Sequence, residues 1–96
     1  MLERLIYRSV AAQDFGTLSL FNLLTQAQLR NEQLQITGHL LFLDGQFTQC
    51  IEGPPESIER LWQSLQRDTR HHSLEPMVRR PATARRFPSR RLASPT

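Results

Sequence analysis

At 96 residues with 39% hydrophobic content, the chain has material for one domain around one modest core. No apolar run approaches the roughly 18 residues that a membrane span requires, and the start does not read as a signal peptide, so a cytoplasmic protein without membrane contact is expected. A single cysteine, Cys50, excludes an internal disulfide and a cysteine-based metal site, and the formal charge of +3 is uneven, with every acid at or before Glu75 and Arg79, Arg80, Arg85, Arg86, Arg90 and Arg91 crowding the end.

Leu2 to Ser9 is compatible with a strand, with Leu5, Tyr7 and Ser9 on one face and Arg4, Ile6 and Arg8 on the other. After a loop at Gln13 to Gly16, Thr17 is placed as the cap of a helix whose Leu18, Phe21, Leu24 and Gln28 follow helical spacing, to about Asn31. Asn31 lies about two turns beyond Leu24, which puts an amide on nearly the same face as the apolar stripe. Gln35 to Glu52 reads as two β-rich runs around Asp44-Gly45, a type I′ hairpin signal because both central positions need positive φ. In that register Phe42 opposes Phe47, Leu40 opposes Gln49 and Gly38 opposes Ile51, so Gln49 is set among apolar neighbours. The other face holds Leu41 and Leu43 with His39, Thr48 and Cys50; being partly apolar, it is expected to be covered.

Pro54-Pro55 and Glu56 open a second helix, with Ile58, Leu61, Trp62 and Leu65 as its stripe, reaching about Asp68. Ser73 to Val78 is a candidate fourth strand that Pro76 confines to an edge or a bulge. Past Arg79 no period is evident. A domain over 1–87 and a loose basic tail over 88–96 are expected, and clustered charge with so few aromatics argues for solvation rather than specific nucleic-acid binding. The order strand, helix, hairpin, helix, strand describes an α+β, ferredoxin-like sandwich: an antiparallel or mixed sheet of four to five strands with two helices on one face.

Tyr7, Asn31 and Gln49 stand out because each is a polar group predicted where the helices pack on the sheet. Any one alone is better explained by a bond to nearby backbone, whereas the three together suit a planar ligand of alternating donors and acceptors held between the helices. Asp68-Thr69-Arg70-His71-His72 gathers donors near the end of the second helix, either as a solvated terminus or as part of the same site. The adjacent histidines lack further ligands at a helical spacing, so no metal is expected.

The strings LIYRS at 5–9, ITGHLLF at 36–42, DGQFTQCIEG at 44–53 and RDTRH at 67–71 resemble the BLUF family in order and with compatible spacings, over Leu2 to about Phe87. The resemblance implies a non-enzymatic blue-light photoreceptor that binds a flavin between its helices, FAD in the first instance, with FMN or riboflavin as alternatives. On it, Tyr7 matches the photoactive tyrosine and Gln49 the glutamine bridging that tyrosine to the flavin. Asn31 matches the asparagine at the pyrimidine edge, Arg70 and His71 match further flavin contacts, and Asp68 has a supporting role. The sequence departs from the family after Phe87, where Arg90, Arg91 and Leu92 stand in place of the usual Trp or Ser and Met. Expected partners are the flavin, a second copy docked through the open sheet face, and a downstream effector of unknown kind. Two other readings stay open on the residues alone: a small interaction module without a ligand, and an acylphosphatase-type hydrolase on the same fold.

Overall fold

The computed structural model describes residues 1–86 and 92–93. Along the chain come β1 (Leu2–Ala11), α1 (Thr17–Leu34), β2 (Thr37–Leu43), β3 (Gln46–Gly53), α2 (Pro55–Arg67), β4 (His71–Ala82) and β5 (Leu92–Ala93). The sheet order is β4-β1-β3-β2-β5, antiparallel throughout except where β5 runs parallel to β2.

The hairpin forms as its sequence demands. Asp44 and Gly45 both take positive φ, 53° and 75°, and pair β2 with β3 in the expected register, including Leu40 opposite Gln49 and Phe42 opposite Phe47. Gly38 is where β2 can come no closer with a side chain, since a Cβ there would lie 2.1 Å from the Cys50 carbonyl oxygen. Across the other side of β3, Tyr7 of β1 pairs directly with Gln49. Strand alternation then carries Leu5, Tyr7, Leu40, Phe47, Gln49 and Ile51 to the face that both helices cover.

Two separate apolar clusters hold the helices down. Leu5, Tyr7, Ile36 and Ile51 pack with Ile58, Leu61 and Leu65 of α2, while Leu40 and Phe47 pack with Ala27 of α1 and partly buried Phe15, Leu20, Leu23 and Leu24. One cluster lies under α2 and the other under α1, and their boundary forms a seam on this face of the sheet.

Helix α1 differs from its sequence expectation. It begins with Gly16 rather than Thr17 at the N-cap position, continues past Asn31 to Leu34, and turns a different face inward. Phe21 is 66% exposed and Gln28 is exposed, whereas Ala27 and Asn31 are buried, so the packed stripe is Leu20, Leu23, Leu24, Ala27 and Asn31. The side chains of Thr17 and Leu18 lie outside the described residues.

Strand β4 is longer than Ser73 to Val78, and it is both an edge and bulged. Pro76 opposes Tyr7, and the register slips on either side, between Ile6 and Tyr7 and between Arg8 and Val10. Ser73, at φ 56°, takes up the second slip. Leu92 and Ala93, inside the stretch read as a loose tail, pair with Gly38 and His39 of β2; residues 88–91 and 94–96 of that stretch, like Phe87, lie outside the described residues.

One end of the sheet's opposite face is covered by the chain following β4. Glu52, 0% exposed, accepts from Arg4 Nε at 2.8 Å and from the Arg86 backbone N–H at 2.8 Å. Arg85 reaches the Thr37 hydroxyl and the Glu52 and Gln35 carbonyls, and Arg4 also donates to the Ala84 carbonyl. Segment 84–86 is thereby fastened across β1, β3 and β2 by hydrogen bonds to buried polar groups.

Candidate functional site

The seam between the clusters is where the predicted polar residues meet. Tyr7 is 2% exposed and Gln49 5%, and the Tyr7 phenol donates to Gln49 Oε1, the partner that direct cross-strand pairing hands it. Burial raises the Tyr7 pKa above its ordinary value, with Arg30 pulling the other way. The phenol therefore keeps its proton through the physiological range and remains the donor of this bond. Because Gln49 accepts through its oxygen, its NH2 group is left as the donor toward the seam. Trp62 of α2 closes the apolar side of the phenol, ring centroids 5.4 Å apart and edge-on.

Asn31 comes from the last turn of α1, where the left-handed Gln35 (φ 59°) ends the helix and the Asn31 carbonyl accepts from the Ile36 N–H at 2.8 Å. Its side chain is fully buried, and Nδ2 has no hydrogen-bond partner within the described protein. An orphaned buried amide donor costs about 1–3 kcal/mol. A ligand acceptor in the seam removes that cost, and a planar heterocycle with a carbonyl beside a ring N–H fits an amide that presents both a donor and an acceptor.

Arg70 is held rigidly beside the seam. Its guanidinium grips Asp68 through Nε and NH2 and reaches across to Gln26 Oε1 of α1 at 2.8 Å. His71, by contrast, is spent on the protein: Nδ1 lies 2.7 Å from the Ser9 hydroxyl and Nε2 2.9 Å from the Leu65 carbonyl. Only a donor can serve that carbonyl, so Nε2 carries a proton, and both ring nitrogens are engaged by the protein in this arrangement.

The sequence did not single out Arg30. Half-buried on α1 next to Asn31, it lies close enough to Tyr7, Arg70 and Asp68 to be coupled to all three, and burial lowers its pKa. With Gln33 and Leu34 it forms one wall of a cleft of about 280 Å³ whose other wall is Arg60, Leu61, Ser64 and Arg67 of α2. An arginine on a helix surface ordinarily reads as solvated; only its adjacency to a buried amide could have marked it.

The hydrogen-bonded Arg70 guanidinium holds the Asp68 carboxyl below the usual carboxylate range, with burial opposing. A depressed folded-state pKa contributes stability that is present above the unfolded value near 3.9 and is lost as pH falls through the folded value. The urea midpoint of the protein is therefore expected to drop faster between roughly pH 5 and pH 3 than that of Asp68→Asn. Parallel curves would show that the pair does not contribute.

A sheet that presents a hydrogen-bonded phenol and amide beside an unpartnered buried amide offers the donors and acceptors that a planar ligand can meet. The profile of the family described as BLUF, sensors of blue-light using FAD, matches residues 2–93, and the chain belongs to that family. The Escherichia coli protein "Blue light- and temperature-regulated antirepressor BluF" is 36% identical over 87 residues, 91% of this chain and 22% of that protein. "Photoactivated adenylate cyclase subunit beta" of Euglena longa is 34% identical over 88 residues, 92% of this chain and 10% of that protein. Among solved structures, the dark-state structure of BlrB, a BLUF protein, superposes with a TM-score of 0.90 at 34% identity, covering 97% of this chain and 72% of that one. The chain thus spans a minor part of the curated relatives' length. Residues 2–93 form a flavin-binding blue-light sensor domain.

Proposed function

We propose that Tyr7, Asn31, Gln49 and Arg70 hold the flavin, in the first instance FAD, between α1 and α2, and that light acts through the Tyr7–Gln49 hydrogen bond. The observation carrying this reading is the Asn31 Nδ2 group, buried and without a protein acceptor at the seam where Tyr7 and Gln49 meet. When bound, the flavin would supply blue-light absorption and an excited state that accepts an electron reversibly. Tyr7 would be the donor: an oxidised phenol is strongly acidic, and among the described residues the existing bond to Gln49 Oε1 is the route for its proton. Once the proton returns, Gln49 is left rotated or tautomerised and presents a different group to the ring. Asn31 and Arg70 keep the ring in register, with Arg70 steadied by Asp68 and Gln26. His71 orients the site from behind through Ser9 and Leu65, or touches the ring by its carbon edge.

Purified protein is expected to be yellow and to show a small reversible red shift of the flavin band under blue light. Flavin bound without any shift would refute the switching role, and a colourless protein that takes up no flavin would refute the reading altogether. Asn31→Ala is expected to weaken flavin binding about tenfold to a hundredfold, the worth of a buried hydrogen-bonded amide; unchanged affinity by fluorescence titration would remove Asn31 from the site.

The far sheet face leaves Leu41 and Leu43 exposed, at 36% and 60%, and a second copy is the occupant we propose for it. A monomeric mass at high concentration would rule that out. No helix among the described residues is long and apolar enough to cross a membrane, consistent with a cytoplasmic location.

A further inference from the structure

We infer that Arg85, in the chain beyond β4, is a positioning residue for the flavin site: it clamps the turn that ends α1 and so holds the buried Asn31 amide in place for the ring. The inference rests on the flavin reading above and extends it to a side chain fifty positions beyond that turn.

The turn has little of its own to hold it. Helix α1 carries no basic side chain in its last turn, where a cation would meet the exposed carbonyls, and Glu32 stands there instead. The chain then reverses through Gln35 at φ 59°, in a left-handed conformation that residues other than glycine populate sparsely unless their surroundings hold them. Asn31 is tied directly to this turn, because its carbonyl accepts from the Ile36 N–H at 2.8 Å and also from the Gln35 N–H.

Arg85 supplies what the helix end lacks. Its Nη2 donates to the Gln35 carbonyl at 2.8 Å, and its Nη1 donates to the Thr37 hydroxyl at 2.8 Å and to the Glu52 carbonyl at 3.0 Å, so one planar fork spans the turn, β2 and β3. The guanidinium is itself held in position, since the residues on both sides of Arg85 are fastened. The Ala84 carbonyl accepts from Arg4 Nη2 at 3.2 Å, and the Arg86 N–H donates to the buried Glu52 carboxylate at 2.8 Å. Gly53 permits the close fit, as a Cβ there would lie 3.1 Å from the Gln35 carbonyl oxygen. With that carbonyl gripped, the turn resists unwinding, and the last turn of α1 keeps Asn31 in register. A displacement of about 1 Å at Asn31 would carry Nδ2 out of hydrogen-bonding range of a ring acceptor.

The test is a double-mutant cycle on FAD affinity, read by quenching of flavin fluorescence, for the wild type, Arg85→Gln, Asn31→Ala and the two together. Arg85→Gln is expected to weaken binding about tenfold, and no more than Asn31→Ala does, while in the Asn31→Ala background the same substitution changes affinity by less than about twofold. A merely structural role would give the same loss in both backgrounds, and that result, or unchanged affinity in Arg85→Gln, overturns the assignment. Arg85→Lys is taken through the same cycle, because it keeps the charge and the stem but not the fork, and so decides the matter even where Arg85→Gln does not fold. Its loss should be smaller and should again vanish in the Asn31→Ala background. Amide exchange of the ligand-free protein gives a second readout: the Ile36 N–H is expected to exchange about tenfold faster in either Arg85 variant, and an unchanged rate overturns the clamp. Wild type that binds FAD with an additive cycle removes Arg85 alone, whereas wild type that takes up no flavin defeats the flavin reading and this one together.

Discussion

Tyr7→Phe is expected to leave the protein yellow and to abolish its light-induced spectral shift. The substitution removes one oxygen and its proton while keeping the ring that packs against Trp62 and lies within the α2 cluster. Binding should survive, because Asn31 and Arg70 are untouched. What disappears is the hydrogen bond that the phenol makes among the described residues, the one to Gln49 Oε1. Phenylalanine is also a far poorer electron donor and has no acidic proton, so both halves of the Tyr7 step are lost. A difference spectrum before and after illumination checks this at once, and a shift of normal size and lifetime in the variant would overturn the mechanism. Gln49→Leu provides the complementary test, since a normal photocycle without the amide would show that the moving group is elsewhere.

Glu52→Ala is expected to destabilise the fold by about 3–5 kcal/mol, the usual result of removing one partner from a buried ion pair. Arg4 is only 9% exposed and would keep its charge without the carboxylate, and the Arg86 N–H would lose its acceptor. A domain of this size has roughly 5–15 kcal/mol in total, so the loss should appear as a large fall in the urea midpoint. The pair is not intrinsically strong: Arg4→Met with Glu52→Leu should recover most of the loss, because desolvating two charges offsets much of their attraction. A midpoint unchanged in Glu52→Ala would mean that the carboxylate is not confined as the structure has it.

The hairpin and its register were legible because Asp44-Gly45 admits little else, and once Phe42 opposes Phe47 the facing of Gln49 follows from alternation. Tyr7, Asn31 and Gln49 could be placed on one layer for the same reason. Helix α1 was harder, since leucines at 18, 20, 23, 24 and 29 offer two overlapping stripes, and the sequence favoured the one through Phe21, which is exposed. Local spacing cannot choose between them; the choice comes from which stripe meets Leu40 and Phe47. The burial of Glu52 was not visible at all. Alternation assigns it to the face away from the helices, and what covers it arrives from residues more than 30 positions later. The full reach of β4 was hidden by Pro76 and Pro81, which only an edge strand with slipped register accommodates.

Those two prolines bear on how the molecule can associate. A rim carrying Pro76 and Pro81 offers a broken row of backbone donors, Arg79 and Arg80 add charge to it, and at the opposite rim β5 is just two residues long. The β4 border cannot readily template an incoming strand, whereas β5 shields only Gly38 and His39 of β2. A strand added at the β4 rim would find few backbone partners, so growth of the sheet into fibrils from that side is disfavoured.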